Sequence, residues 1–224
     1  MQAGGSLKLG ETLRLHTRQL HTRVERSPLM QALLRGRIDR HTYCSLLRNL
    51  HAIYEALEAA LENHASHPGI APVWHDGLAR SRLLTDDLAF LHGPDWSTAH
   101  PLAPAGAAYV RRLRQCDAAA PDLLLAHAYV RYLGDLSGGQ TLRRLIAGRF
   151  GLDGATGTRF YAFGETAAEV AALARRFRDG LDAVHADSAS TDALVAEAQW
   201  GFAQHERLFT DLEAGLVKGA TFAG

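Results

Sequence analysis

Residues 129–140 read YVRYLGDLSGGQ, and they carry the most specific chemistry in the chain. Gly134, Gly138 and Gly139 fall where the flanking pattern is helical. Each interior glycine costs a helix about 1 kcal/mol relative to alanine. Gly134 and Gly138 are four apart and share a face, so they leave a patch without side chains where something flat can touch the backbone. Tight helix packing is the competing reading of such a patch. Asp135 and Ser137 weigh against it, because a carboxylate beside a glycine patch in an apolar helix needs a partner or a water network.

A second constellation lies near the start. At about 100° per residue, Arg14, Arg18, His21 and Glu25 form one helical stripe about 60° wide. Glu25 lies one turn beyond His21 and can accept from its Nδ1–H, which leaves Nε2 for a metal and selects the tautomer. Arg14 and Arg18 suit two carboxylates of a ligand. By itself this stripe reads as an ordinary charged surface. His16 lies well over 100° from His21, nearer the apolar stripe of Leu9, Leu13, Leu20 and Val24, and is expected to be partly buried.

Composition limits what could position these residues. The 224 residues suit one domain, with 24 basic against 24 acidic side chains and 47% hydrophobic residues. A balanced charge disfavours nucleic acid as partner. Cys44 and Cys116 stand alone, without a CxxC or CxxCH. No apolar run reaches the roughly 18 residues of a membrane span and the N-terminus lacks a signal core, so a cytoplasmic location without a membrane anchor is expected. Leucine far outnumbers isoleucine and valine together, and all seven prolines lie at or before Pro121. Both facts favour an all-α chain.

The expected helices cover Leu7–Arg26, Pro28–Leu34, a long element capped by Asp39, Ser81–Leu91, Ala107–Cys116 and Asp122–Leu136. The last continues into SGGQTLRRLIAGRF, where the glycines predict a bend or break. Two final helices span Thr166–Val184 and Thr191–Leu216, the second with Thr191 or Asp192 near its cap. Leu46, Leu50, Ile53, Tyr54, Leu57 and Leu61 recur at the spacing of one buried face. No linker interrupts residues 1–224, so one helical domain is expected, with 1–6 and 218–224 as flexible ends.

The 129–140 segment resembles the glycine-rich distal helix of the haem oxygenases, for which LGDLSGGQ is among the most specific motifs. The resemblance extends through HTRVERSPLM at 21–30, IYEALE at 53–58 and FAQHERLF at 202–209. It implies a single-domain helical bundle that sandwiches haem between the first helix and the glycine-rich one. His21 is then the axial iron ligand, with Glu25 behind it. Arg14 and Arg18 meet the propionates, Tyr129 lies near one of them, and a basic residue of RRFRDG meets a propionate. Arg178 matches best, with Arg175 and Arg176 as competitors. Met30 and Phe202 line the pocket, although an apolar residue at helical spacing is usually core. Gly134, Gly138 and Gly139 bring backbone close to the distal face. Asp135 orders a water for proton delivery, and Tyr54 and Arg131 match outer residues of that network. His205 stands where relatives often have asparagine.

The activity so implied is cleavage of haem, both cofactor and substrate, to biliverdin, carbon monoxide and ferrous iron with O2 and electrons. No GxGxxG is present, so no bound flavin or nicotinamide is expected and a separate ferredoxin, flavodoxin or reductase must supply electrons. A soluble monomer is expected. A non-catalytic haem carrier or sensor could use the same His21, but would not need Gly134 beside Asp135. A helical di-iron oxygenase would carry Glu-x-x-His units, which the chain lacks. A helical interaction protein would bind no haem.

Overall fold

The computed structural model describes residues 7–154 and 156–220. The helices are α1 (Leu9–Glu25), α2 (Pro28–Leu34), α3 (Arg40–Asn63), α4 (Ser81–Leu91), α5 (Trp96–Ala99), α6 (Pro104–Ala119), α7 (Leu124–Phe150), α8 (Ala167–Ala183) and α9 (Ser188–Ala220), with no strand among the described residues. Residues 1–6 and 221–224 lie outside the described part, whereas 218–220 continue α9.

Local chemistry sets most helix starts. The Ser27 hydroxyl accepts from the Met30 amide at 3.3 Å, with Pro28 at the first helical position. The Asp39 carboxylate accepts from the Thr42 amide at 2.9 Å. Thr166 and Glu169 form a reciprocal capping box. Two helices start three residues earlier than expected. α6 begins at Pro104, whose missing N–H suits a first turn. α9 begins at Ser188, because the Asp187 carboxylate takes the Ser190 amide at 2.7 Å.

The core forms around α3 and α7. All six expected apolar positions of α3 are buried. In α7 every residue from Leu124 to Tyr132 is buried, as in a helix enclosed on all sides. Beyond Leu133 that enclosure opens. The expected break at the glycines is absent, and α7 runs through them to Phe150. None of the three has positive φ, and Gly139 packs against Tyr161. The left-handed turn comes later, at Gly151, which ends the helix with φ +63°.

α1 lies against α8 and α9. Arg23 pairs with Glu206 at 2.6 Å, and the Gly10 amide donates to Asp182 at 3.2 Å. Leu9, Leu13 and Val24 are buried and Leu20 is half-buried. His16 is exposed, which corrects the expectation of partial burial. Thr17 takes the inner position, and its hydroxyl donates to the Leu13 carbonyl at 2.7 Å. Held this way, α1 runs alongside the stretch of α7 where the core opens.

Candidate active site

A cavity of about 690 Å³ separates α1 from α7, with α8 and α9 closing its sides. That volume lies within the usual range of cofactor pockets. Arg14, Thr17, Arg18 and His21 line it from α1, and Tyr129, Val130, Leu133, Gly134 and Ser137 from α7. Arg178, Leu181 and Asp182 come from α8 and Phe202 from α9. The Thr17 and Tyr129 hydroxyls lie 3.2 Å apart and tie the two walls together.

The structure gathers His21, Arg14, Arg18, Tyr129, Gly134, Arg178 and Phe202 around this space. Of the three competing arginines on α8, Arg178 alone is in the lining. Glu25 lies outside it, but its carboxylate is 3.5 Å from His21 Nδ1. The Phe202 ring packs edge-on to the His21 ring, with centroids 5.8 Å apart. A Cβ added at Gly134 or Gly138 would meet nothing within 4 Å outside its own helix. Gly138, Gly139 and Met30 are not in the lining; Met30, expected to line the pocket, is half-buried against the core instead.

Asp135 sits behind the wall and not on it. Arg131 Nη2 donates to its Oδ2 at 2.8 Å and to Oδ1 at 3.1 Å, and the Tyr54 hydroxyl donates to Oδ2. Burial pushes the Asp135 carboxyl up from its ordinary range, and Arg131 and Tyr54 oppose that push. Both charges are almost enclosed, with 8% and 13% of their side chains exposed. A buried pair of this kind must be well satisfied to persist.

Among the cavity residues that sequence reasoning missed, Thr17 and Asp182 have side chains bonded to another helix. Thr17 reads as a plain helical threonine, and only its partner on α7 reveals its place. Asp182 follows Arg178 by one turn, a spacing that could have placed both on one face. A further buried cluster joins Cys116, His127 and Glu197. There His127 Nε2 donates to Glu197 Oε1 at 2.9 Å, and Arg112 Nε donates to the same oxygen at 2.8 Å. Against the cost of burial, these donors hold the Glu197 carboxyl at about 2, so the cluster satisfies itself as an ion-pair network.

The donor set fits haem. Nδ1 of His21 has a carboxylate partner, which leaves Nε2 for iron. Arg14, Arg18 and Arg178 supply cations for two propionates. Gly134 opens one wall to a flat ring, while Phe202, Leu133 and Leu181 supply apolar contact.

Comparison with known proteins agrees with this reading. The family model described as "Heme oxygenase" matches residues 7–211. "Heme oxygenase 1" of Nostoc sp. is 37% identical over 213 residues, which cover 95% of this chain and 89% of the relative. "Heme oxygenase 1" of Synechocystis sp. is 36% identical, over 95% and 88% of the two chains. The crystal structure of Synechocystis heme oxygenase-2 in complex with heme and NO superposes with a TM-score of 0.90 at 36% identity, over 96% of this chain and 88% of that one. With a family model spanning nearly the whole fold and relatives this similar over most of their length, the chain belongs to the haem oxygenase family.

Proposed function

We propose that this protein cleaves haem to biliverdin, carbon monoxide and ferrous iron, using O2 and electrons from a separate donor. The observation that carries the reading is one cavity with His21 on one wall and the side-chain-free Gly134 on the facing helix. Bound haem supplies the iron that activates O2 and is also the ring that is opened.

The chain positions and protonates. His21 holds the iron through Nε2, with Glu25 keeping the ring in the Nδ1–H tautomer. Arg14, Arg18 and Arg178 anchor the propionates and so set the rotation of the ring in its pocket. Tyr129, braced by Thr17, supports that edge. Gly134 keeps a side chain away from the reacting face, and Gly138, one turn on and outside the lining, adds none beside it. Asp135 orients a water that brings a proton into the cavity, with Arg131 and Tyr54 holding the carboxylate in place. Gly139, packed on Tyr161, supports α7 from behind.

Electrons come from a ferredoxin, flavodoxin or reductase, with no flavin or nicotinamide held by this chain. The protein works as a cytoplasmic monomer with no nucleic-acid partner. No described helix is long and apolar enough to cross a membrane.

The deciding experiment adds one equivalent of haem to the protein in air with ascorbate or a ferredoxin and its reductase. Loss of the haem bands with growth of the biliverdin spectrum is expected. Stable haem binding without any bilin would replace this reading with that of a carrier.

A further inference from the structure

Arg131 makes contacts on two sides. One side engages Asp135 through Nη2. On the other, Nη1 donates to Nε2 of His205 on α9. The guanidinium carbon also lies 5.2 Å from the centre of the Tyr54 ring. His205 is buried, with 3% of its surface exposed.

This contact determines the state of His205. A guanidinium has donors only and does not lose its proton in proteins. Nε2 must therefore present a lone pair, and the ring is neutral with its proton on Nδ1. That Nδ1 is buried and has no partner among the described residues. The groups facing the ring are Arg131 and His127 from α7 and Tyr109 from α6, whose ring centre is 5.3 Å away, with Phe209 on α9 itself. No carboxylate among the described residues pairs with it. Burial and the neighbouring Arg131 and His127 hold its pKa well below the ordinary value. His205 is thus a lasting acceptor and not a proton carrier.

We propose that His205 is a positioning residue, whose Nε2 fixes the Arg131 guanidinium in the orientation that engages Asp135. The proposal rests on the reading of Asp135 as the group that orders the proton-delivering water. Without an acceptor at position 205, Nη1 becomes a buried donor with no partner. Arg131 then leaves its present orientation to satisfy it. Asp135, which faces Tyr54, Arg80, Tyr132 and Tyr161 besides Arg131, then keeps Arg80 as a cation but loses part of the counter-charge of Arg131 while remaining buried, and its carboxyl binds a proton more tightly. His205 thereby acts on Asp135 through Arg131, from α9 onto α7, two helices that no short segment of sequence brings together.

The test uses the apoprotein, so it is independent of turnover. The carboxyl carbons of aspartate are labelled with carbon-13, the Asp135 signal is assigned by its loss in Asp135→Asn, and its titration is followed by NMR. His205→Leu should raise the Asp135 titration midpoint by about one pH unit, a tenfold tighter proton. His205→Gln, whose amide oxygen reaches about where Nε2 lies, should restore the parent value. If the leucine variant does not fold, His205→Met fills the space without an acceptor and takes its place. An unmoved or lowered midpoint in the apolar variant overturns the proposal, as does a raised midpoint in His205→Gln. With haem added, the apolar variant should bind it as the parent does, and the pH profile of biliverdin formation should move up by the same amount. A parent that forms no biliverdin would instead defeat the functional reading and leave the titration result intact.

Discussion

The Glu25 carboxylate lies 3.5 Å from Nδ1 of His21, one helical turn away, on the edge of the cavity. Both side chains are about half exposed, at 59% and 49%, so the contact contributes little to stability. At that distance Glu25 can favour the Nδ1–H tautomer of the ring. His21→Ala should abolish the histidine-ligated haem spectrum and most turnover, and added imidazole should partly restore both. His16→Ala should change neither, since His16 is exposed and its carbonyl, which accepts from Gln199 at 3.1 Å, survives the substitution. Optical titration with haem checks all three. Loss of ligation in His16→Ala would show that the wrong histidine has been chosen.

The arginines at the cavity should act on affinity and on ring rotation. Arg14 pairs with Glu11 at 4.0 Å and has 67% of its side chain exposed, which leaves it room to turn to a ligand. A charge-assisted bond to a propionate contributes roughly 1–3 kcal/mol when partly enclosed. Arg18→Ala combined with Arg178→Ala should weaken haem binding about tenfold or more and alter the mixture of biliverdin isomers, while ring opening continues. Chromatography of the bilin products is the direct measurement. Unchanged affinity with unchanged isomers would remove these arginines from the site.

Asp135 is tied to Arg131 and Tyr54, so its removal has two separable effects. Asp135→Ala strands an almost enclosed guanidinium and should lower stability by about 3 kcal/mol. It should also slow biliverdin formation strongly while leaving haem ligation by His21 in place. Asp135→Asn keeps an acceptor and should lose less of both. Thermal unfolding and turnover together check this. Biliverdin formation by Asp135→Ala at the parent rate would reduce Asp135 to a structural role.

Two glycines should respond in opposite ways. A Cβ at Gly180 would lie 2.2 Å from the Pro72 carbonyl oxygen, where backbone has little freedom to yield. Gly180→Ala should destabilise by roughly 1–3 kcal/mol or more. A Cβ at Gly134 meets nothing within 4 Å, so Gly134→Ala should fold as well as the parent or better by up to about 1 kcal/mol. Its methyl group projects toward the cavity that Gly134 lines, and haem turnover should fall. Comparing Tm with turnover in the two variants separates packing from function.

His100 predicts acid sensitivity. Its Nδ1 is 2.9 Å from the Ser45 hydroxyl and its Nε2 is 3.0 Å from Nδ1 of His92. Burial, then the nearby His41 and His92, push its pKa down from 6.5 to about 4. Between those values the unfolded chain binds a proton that the folded protein refuses. The contribution is full above pH 6.5 and is lost as pH falls toward 4, amounting to about 3 kcal/mol. Asp87, pushed up to about 6 by burial, acts in the opposite direction over an overlapping range. The informative quantity is therefore the difference between parent and His100→Gln. The variant should show a shallower loss of Tm from pH 6.5 to 4, and equal slopes would remove His100 as the cause.

Much of this molecule is local and was readable in the chain. The caps at Ser27, Asp39 and Thr166 act within three residues, and the buried faces of α1 and α3 follow from the 3.6-residue period. The stripe of Arg14, Arg18 and His21 was legible for the same reason, as was Gly134, because a glycine inside a helix is costly without cause. Tertiary structure decided the rest. It showed that Arg178 reaches the cavity and that Thr17, not His16, takes the inner position on α1. It carried α7 unbroken through its glycines, because Tyr161 packs on Gly139 and the flanking residues are buried. Above all it joined Asp135 to Tyr54, 81 residues away, and Arg131 to His205, 74 residues away. Such partners depend on how α3, α7 and α9 pack, and the spacing within a single helix carries no record of the helix that will lie against it.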